Sequence, residues 1–92
     1  MAEKRVEVTI KGHVQGVYFR ANTRDRAKRL GVEGWVKNQP NGDVKAIFEG
    51  EREMLEDMID WCHKGPPMAR VDEVETEWSE PSGDFDGFRI KY

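Results

Sequence analysis

The sequence predicts an α+β sandwich in which two helices cover one face of an antiparallel sheet and the other face meets water. At the start of the chain, Val6, Val8 and Ile10 alternate with polar residues, which is typical of a strand with one buried face. Two later segments repeat their apolar residues every three or four positions, as amphipathic helices do. The segments follow the order β-α-β-β-α-β with an extra C-terminal strand, so we expect a ferredoxin-like fold.

Turn signals separate the predicted elements. Gly31 is a natural stop for the first helix, Pro-Asn-Gly at residues 40–42 is typical of a hairpin, and Gly-Pro-Pro at residues 65–67 ends the second helix. The predicted strands are residues 4–11, 32–38, 43–49, 70–78 and 88–92, and the predicted helices are residues 21–30 and 51–64. No connection is long enough to divide the chain, so we expect one domain over residues 1–92.

Each predicted helix has one apolar stripe that we expect to pack on the sheet. The stripe of the first helix is Phe19, Thr23, Ala27 and Leu30, and that of the second helix is Leu55, Met58, Ile59 and Cys62. The remaining surface of the first helix is strongly charged, which is more typical of a solvated face than of a ligand site. Because Cys62 lies on the second stripe, we expect it to be an inert buried thiol.

Composition limits the partners and the compartment. The chain has 15 basic and 18 acidic residues and a net charge of −3, whereas a nucleic-acid-binding domain more often carries a basic face. A single cysteine cannot form an internal disulfide, and the sequence has neither a long apolar run nor a recognisable signal peptide. We therefore expect a cytoplasmic protein with no nucleic-acid or membrane partner. We also expect a monomer, although the sequence does not determine the oligomeric state.

The junction between the first strand and the first helix, GHVQGVYFR at residues 12–20, is the strongest candidate for a functional site. Glycine permits positive φ and a close approach of backbone to ligand, and the N–H groups at a helix start are unpaired. With the helix dipole behind them, such groups bind anions, most often phosphate. Arg20 could grip a phosphoryl group with two parallel hydrogen bonds. The spacing alone also fits a plain strand-to-helix turn.

Two stretches resemble the acylphosphatase family. GHVQGVYFR is similar to the signature loop Gly-x-Val-Gln-Gly-Val-x-Phe-Arg, and GVEGWVKNQPNGDV at residues 31–44 resembles the segment Gly-x-x-Gly-Trp-Val-x-Asn and its hairpin. The final FRIKY is similar to the usual last strand of the family. The resemblance covers essentially the whole chain. It implies a small standalone enzyme of prokaryotic type that hydrolyses acyl phosphates to a carboxylate and inorganic phosphate, without a metal or other cofactor.

The resemblance also implies roles for individual residues. Arg20 would bind the phosphate and Asn38 would orient the attacking water, with phosphate acting as both product and inhibitor. The phosphate-binding loop would consist of Gly12, His13, Val14, Gln15, Gly16 and Val17. From spacing alone, Asn38 fits a strand end or turn cap equally well. Gln39 stands where many relatives have Thr, and Tyr18 occupies a variable position that borders the expected pocket.

The sequence leaves two other functions open. The same sandwich serves as a binding module for RNA or amino acids, since a fold does not fix a function. An RNA binder of this shape stacks bases on aromatic residues of its central strands, but here the third strand offers only Phe48, on its expected core face. The chain could also be the carbamoyl-phosphate-hydrolysing module of a larger hydrogenase-maturation protein. The absence of flanking domains favours the standalone enzyme.

Acid–base, nucleophilic and metal chemistry have weak support in the sequence. His13 lies in the junction and could act as a general base or a phosphorylated nucleophile, but the family tolerates other residues at this position. No cluster of His, Cys or carboxylate residues has the spacing of metal ligands, so we expect no metal site.

Overall fold

The computed structural model describes residues 3–92, and every predicted element is present with ends that differ by no more than two residues. Met1 and Ala2 of the predicted domain lie outside the described residues. The strands are β1 (Glu3–His13), β2 (Glu33–Asn38), β3 (Val44–Glu51), β4 (Arg70–Ser79) and β5 (Phe88–Lys91), and the helices are α1 (Phe19–Leu30) and α2 (Arg52–Lys64). None of the helices in this part of the chain is long and apolar enough to cross a membrane.

The strands form one sheet in the order β4-β1-β3-β2-β5. Four of them pair antiparallel, as predicted. The C-terminal strand β5 instead runs parallel to β2, with Gly34 opposite Phe88 and Val36 opposite Ile90, so the complete sheet is mixed. This pairing places the Phe88 ring 5.8 Å from the ring of Phe48, which extends the core to the edge of the sheet.

The core lies between the sheet and the two helices, as the apolar stripes predict. Its fully buried side chains include Val6, Val8, Ile10, Phe19, Ala27, Val36, Val44, Ala46, Phe48, Leu55 and Met58. The hydroxyl of buried Thr23 donates to the carbonyl oxygen of Phe19 at 2.7 Å, so this polar group is satisfied inside its own helix. Burial raises the pKa of the Cys62 thiol to about 12, against a smaller lowering by the charge of Arg26.

The opposite face of the sheet is not fully exposed, and here the prediction from alternation is wrong. Glu49 lies on this face yet is only 3% exposed. Its carboxylate accepts the backbone N–H of Ser82 at 2.8 Å, the Ser82 hydroxyl at 2.8 Å and the backbone N–H of Gly83 at 3.1 Å. The Arg5 guanidinium donates to the same group at 3.2 Å. The segment of residues 80–87, between β4 and β5, is thus held against the sheet.

The ionisation of Glu49 follows from these contacts. Burial raises the pKa of its carboxyl, but the hydrogen bonds from Ser82 and Gly83 and the charge of Arg5 outweigh that effect. The net pKa is therefore below the ordinary value, and Glu49 is a charged group near neutral pH despite its burial.

Candidate active site

A cavity of about 330 Å³ lies where the end of β1, the start of α1 and the ends of β2 and β5 meet. Its lining residues are Val14, Gly16, Tyr18, Phe19, Arg20, Ala21, Asn38, Ile90 and Tyr92. The fold thus brings Arg20 and Asn38, the two residues with predicted catalytic roles, to one cavity from separate elements.

The loop of residues 14–18 connects β1 to α1 through two residues with positive φ. Gly16 has φ 76°, and an added Cβ there would meet no atom within 4 Å. Tyr18 has φ 65° and ψ 24°, a left-handed conformation that is uncommon for a residue with a side chain. The Asn22 side-chain amide donates to the Tyr18 carbonyl oxygen at 2.8 Å and supports this conformation. The loop therefore enters α1 through a strained backbone, as functional sites often do.

The N-terminus of α1 is left open by the protein itself. Tyr18 occupies the N-cap position without a side-chain hydrogen bond to the helix, and the first turn contains no acidic residue. The first N–H groups of a helix have no acceptor within it, and the helix dipole makes this end positive. Phe19, Arg20 and Ala21 of this turn all line the cavity. An anion in the cavity would meet the positive end of α1.

Arg20 adds a formal positive charge to the same place. Its guanidinium carbon lies 5.1 Å from the centre of the Tyr92 ring, a cation–π contact. Of the ion pairs that involve residues 3–92, none includes Arg20. No lining residue of the cavity has an acidic side chain.

Asn38 is the last residue of β2, where it pairs with Val44. As a turn cap, its side chain would hydrogen-bond to the hairpin that follows, but the hairpin is stabilised by other residues. Asn41 accepts the backbone N–H of Asp43 at 3.0 Å, and Gln15 donates to two carbonyl oxygens of the hairpin. Within the described chain, no hydrogen bond involves the Asn38 side chain, which leaves its amide available to a ligand or water in the cavity.

Two residues of the predicted binding loop, Gly12 and His13, lie within a strand. Gly12 and His13 are the last two residues of β1 and pair with Val71 and Arg70 of β4. An added Cβ at Gly12 would lie 2.2 Å from the Arg70 carbonyl oxygen, so the glycine permits close strand packing. Neither residue lines the cavity, and the His13 side chain is exposed.

The other predicted loop residues divide by role. Gly16 and Val14 line the cavity, and Val14 and Val17 are 1% and 5% exposed, so the two valines anchor the loop in the core. Gln15 does not line the cavity, because its side-chain amide reaches the β2–β3 hairpin.

The sequence analysis did not predict that the C-terminal strand contributes to the cavity. Ile90 of β5 and Tyr92, the residue directly after β5, both line it. Alternation identifies β5 as a strand but does not name the strand beside it, and only the parallel pairing with β2 brings these residues near Asn38. Among residues 3–92, no group of three or more His, Cys, Asp or Glu side chains is placed to hold a metal ion.

Known proteins match this chain in sequence and in fold. The family model for acylphosphatases matches residues 6–90. The chain is 49% identical to the acylphosphatase of Pelotomaculum thermopropionicum over 92 residues, which is 100% of both sequences. It is 39% identical to an acylphosphatase of known structure from Coxiella burnetii, with a TM-score of 0.92 over 98% of this chain and 94% of that one.

A further match is to part of a larger protein. HypF from T. kodakarensis is 31% identical with a TM-score of 0.83, and the match covers 97% of this chain but 12% of that one. The family match spans the loop, the first turn of α1, Asn38 and most of β5. The chain therefore belongs to the acylphosphatase family.

Proposed function

We propose that this protein hydrolyses the carboxyl–phosphate bond of acyl phosphates and releases a carboxylate and inorganic phosphate. The loop amides, the first turn of α1 and Arg20 hold the phosphoryl group, and Asn38 orients the attacking water. The family match and the relatives named acylphosphatase support the reaction. The shared cavity supports the division of roles.

One observation carries the proposal: an acidic protein has a cavity that is bordered by an arginine and an uncapped helix N-terminus and is lined by no acidic side chain. The chain has a net charge of −3, yet no acidic residue lines the cavity, which is bordered by Arg20 and the uncapped end of α1. Helix N-termini and arginine forks are the groups that bind phosphoryl oxygens in proteins. The natural ligand is therefore an anion with several oxygens, as the phosphoryl group of an acyl phosphate is.

The reaction needs little chemistry from the protein. The carboxylate is a good leaving group, so strong acid catalysis is not required. What remains is to position the phosphoryl group, stabilise the charge on its equatorial oxygens and align water opposite the leaving oxygen. Backbone amides and Arg20 supply the electrostatic part. Asn38 supplies the alignment, with an amide that can both donate to and accept from a water molecule.

The proton of the attacking water must go elsewhere, because an amide such as Asn38 is too weak a base to take it. We assign it to a phosphoryl oxygen of the substrate. Under this assignment the water oxygen bonds to phosphorus as the phosphorus–carboxylate bond breaks, and no side chain needs to change its protonation state.

The alternatives are weaker on particular observations. Phe48 is fully buried and stacks on Phe88, so it is out of reach of an RNA base. The chain matches the Pelotomaculum acylphosphatase over 100% of both sequences, which supports the proposed acylphosphatase activity. We also propose that residues 1–92 act as one domain, which is supported by a single continuous core in the described residues, and that the protein is a monomer. A cytoplasmic location is supported by the lone, buried Cys62.

The test is release of inorganic phosphate from benzoyl phosphate after exhaustive treatment with EDTA. The wild type should turn over at an unchanged rate, since the proposed mechanism uses no metal. Asn38→Ala should lower kcat about a hundredfold, on the scale of one lost group that acts in the transition state. Its affinity for phosphate, measured by calorimetry, should stay within about threefold, below ~1 kcal/mol, because Asn38 acts on water.

Lys37→Ala is the matched control, because Lys37 precedes Asn38 in β2 but points to the other face of the sheet and does not line the cavity. It should leave kcat within about twofold of the wild type. Circular dichroism confirms that both variants fold. Turnover that is lost in EDTA and restored by a divalent ion would reject the metal-free mechanism. A folded Asn38→Ala with near-full turnover would reject the role of Asn38.

A further inference from the structure

Gln15 belongs to the loop between β1 and α1, but its side chain points away from the cavity and contacts the β2–β3 hairpin. Its Nε2 atom lies 2.8 Å from the Gln39 carbonyl oxygen and 2.9 Å from the Asp43 carbonyl oxygen, both in the β2–β3 hairpin. Both neighbours are acceptors, so the NH₂ end of the amide must face them, and both of its hydrogens are used. Gln15 therefore forms a two-point bridge from the phosphate loop to the hairpin.

The bridge joins the two halves of the candidate active site. On one side, Gln15 lies between Val14 and Gly16, which line the cavity. On the other side, it bonds the carbonyl group of Gln39, the residue directly after Asn38. Fixing the hairpin against the loop thus fixes the distance from the phosphoryl group to the residue that orients water.

The bridge is not needed to satisfy the hairpin backbone. The Gln39 N–H donates to the Asp43 carbonyl oxygen at 2.7 Å, and the Gly42 N–H donates to the Gln39 carbonyl oxygen at 3.1 Å. Each carbonyl that Gln15 contacts already has a backbone donor, so removing the amide leaves neither of them unpaired. A side chain whose hydrogen bonds the hairpin does not require is better explained by what it positions.

We propose that Gln15 is a positioning residue, which sets Asn38 against the bound phosphoryl group by bridging the loop to the β2–β3 hairpin. The inference rests on the proposed function, because it assumes that Asn38 acts on water during hydrolysis. Misplacing a reacting group by a fraction of an ångström costs rate without costing much ground-state affinity. Because the buried side chains of Val14 and Val17 also anchor the loop, we expect phosphate binding by the loop amides and Arg20 to change little when the bridge is removed.

The experiment is a double-mutant cycle with Gln15→Met, which keeps the length of the side chain and removes its donors. In the wild-type background, kcat for benzoyl phosphate should fall about tenfold or more, with the inhibition constant of phosphate within about threefold. In the Asn38→Ala background, the same change should lower kcat less than about threefold, because the residue being positioned is already gone. A merely structural role would not produce this loss of effect.

Asn41→Ala is the matched control, because it removes two hydrogen bonds of the same hairpin to Asp43 but neither of the two hydrogen bonds that Gln15 donates. It should lower the unfolding temperature at least as much as Gln15→Met while keeping kcat within about twofold. Two outcomes would reject the role of Gln15 and leave the proposed function intact. In one, Gln15→Met lowers kcat by the same factor with and without Asn38→Ala; in the other, Asn41→Ala lowers kcat as much as Gln15→Met does. A wild type without phosphate release, or a fully active Asn38→Ala, would overturn the proposed function and this inference with it.

Discussion

In two regions of the protein, an arginine and backbone N–H groups lie close together: one region holds a carboxylate of the protein, and the other is the cavity that we propose binds the phosphoryl group. In the first, backbone N–H groups of Ser82 and Gly83, the Ser82 hydroxyl and Arg5 surround the carboxylate of Glu49. In the second, the first turn of α1 and Arg20 border the cavity, but no Asp or Glu side chain is among the lining residues. The donors are of the same kind in both regions.

The first region contributes to the stability of the fold, and we propose that the second serves ligand binding. Glu49 satisfies its donors permanently and attaches the segment of residues 80–87 to the sheet, so its interactions contribute to folding. At the cavity, the N-terminus of α1 has no side-chain cap and Tyr18 adopts a strained left-handed conformation, as expected of a site that gives up some stability for ligand binding. If so, changes at the cavity should mainly affect turnover and phosphate binding, and changes at Glu49 should mainly affect stability.

Removing the cation of the cavity should have the largest effect. Arg20→Gln should lower kcat/KM for benzoyl phosphate by at least about a hundredfold and weaken phosphate binding as well, since in the proposed mechanism Arg20 binds the phosphoryl oxygens before and during the reaction. Arg24→Gln is the control, because it makes the same change one turn later in α1, at a residue outside the cavity lining. Steady-state kinetics and calorimetry measure both. Equal losses in the two variants would mean that general charge, not the site, sets the rate.

Removing the charge of the internal anion should affect folding and not turnover. Glu49→Gln should lower the free energy of unfolding by about 2 kcal/mol, because hydrogen bonds to a buried charge are lost. Glu75→Gln serves as the control, since its pair with Lys11 is long and exposed, and it should cost under ~0.5 kcal/mol. Urea unfolding gives both values, and kcat should be unchanged. A Glu49→Gln variant as stable as the control would show that the carboxylate contributes no net stability.

The same carboxylate should make stability depend on pH. Because the pKa of Glu49 is lowered on folding, its contribution is fully present above the ordinary value of 4.5 and is lost as pH falls through the lower folded pKa. The stability gap between wild type and Glu49→Gln should therefore narrow from pH 6 toward acid, which urea titrations at about five pH values would measure. A gap that widens toward acid would contradict the direction of the shift.

Adding inorganic phosphate should raise the free energy of unfolding, because a bound anion would interact with the donors at the cavity as Glu49 does with those of the other region. Inorganic phosphate at ten times its dissociation constant should raise the free energy of unfolding by about 1.4 kcal/mol and should inhibit competitively. Differential scanning fluorimetry with and without phosphate measures this increase, and Arg20→Gln should abolish most of it. Equal stabilisation of wild type and Arg20→Gln would indicate a general salt effect and not binding in the cavity.

The sequence predicted the elements well because each is recorded in local periodicity. The alternation of Val6, Val8 and Ile10 and the stripe of Leu55, Met58 and Cys62 depend only on which face is buried. The resemblance to the family also directed attention to Arg20 and Asn38, which the fold brings to one cavity. Their catalytic roles remain predictions.

What the sequence did not predict depends on contacts between distant segments. Alternation placed Glu49 on a solvated face, because nothing near it in sequence indicates that Ser82 and Gly83 return to cover it. The bridge from Gln15 to the hairpin and the parallel neighbour of β5 were missed for the same reason. A pattern with period 2 states which way a side chain points but not which partner it meets.

Alkylation of Cys62 can be used to measure conformational opening of the core. It is the sole thiol in the sequence, it is fully buried in α2, and its pKa of about 12 keeps it protonated in the folded state. Since only the thiolate reacts with alkylating reagents, labelling must wait until α2 separates from the sheet. The rate of alkylation therefore reports how often the core opens, in the unmodified chain and without a dye.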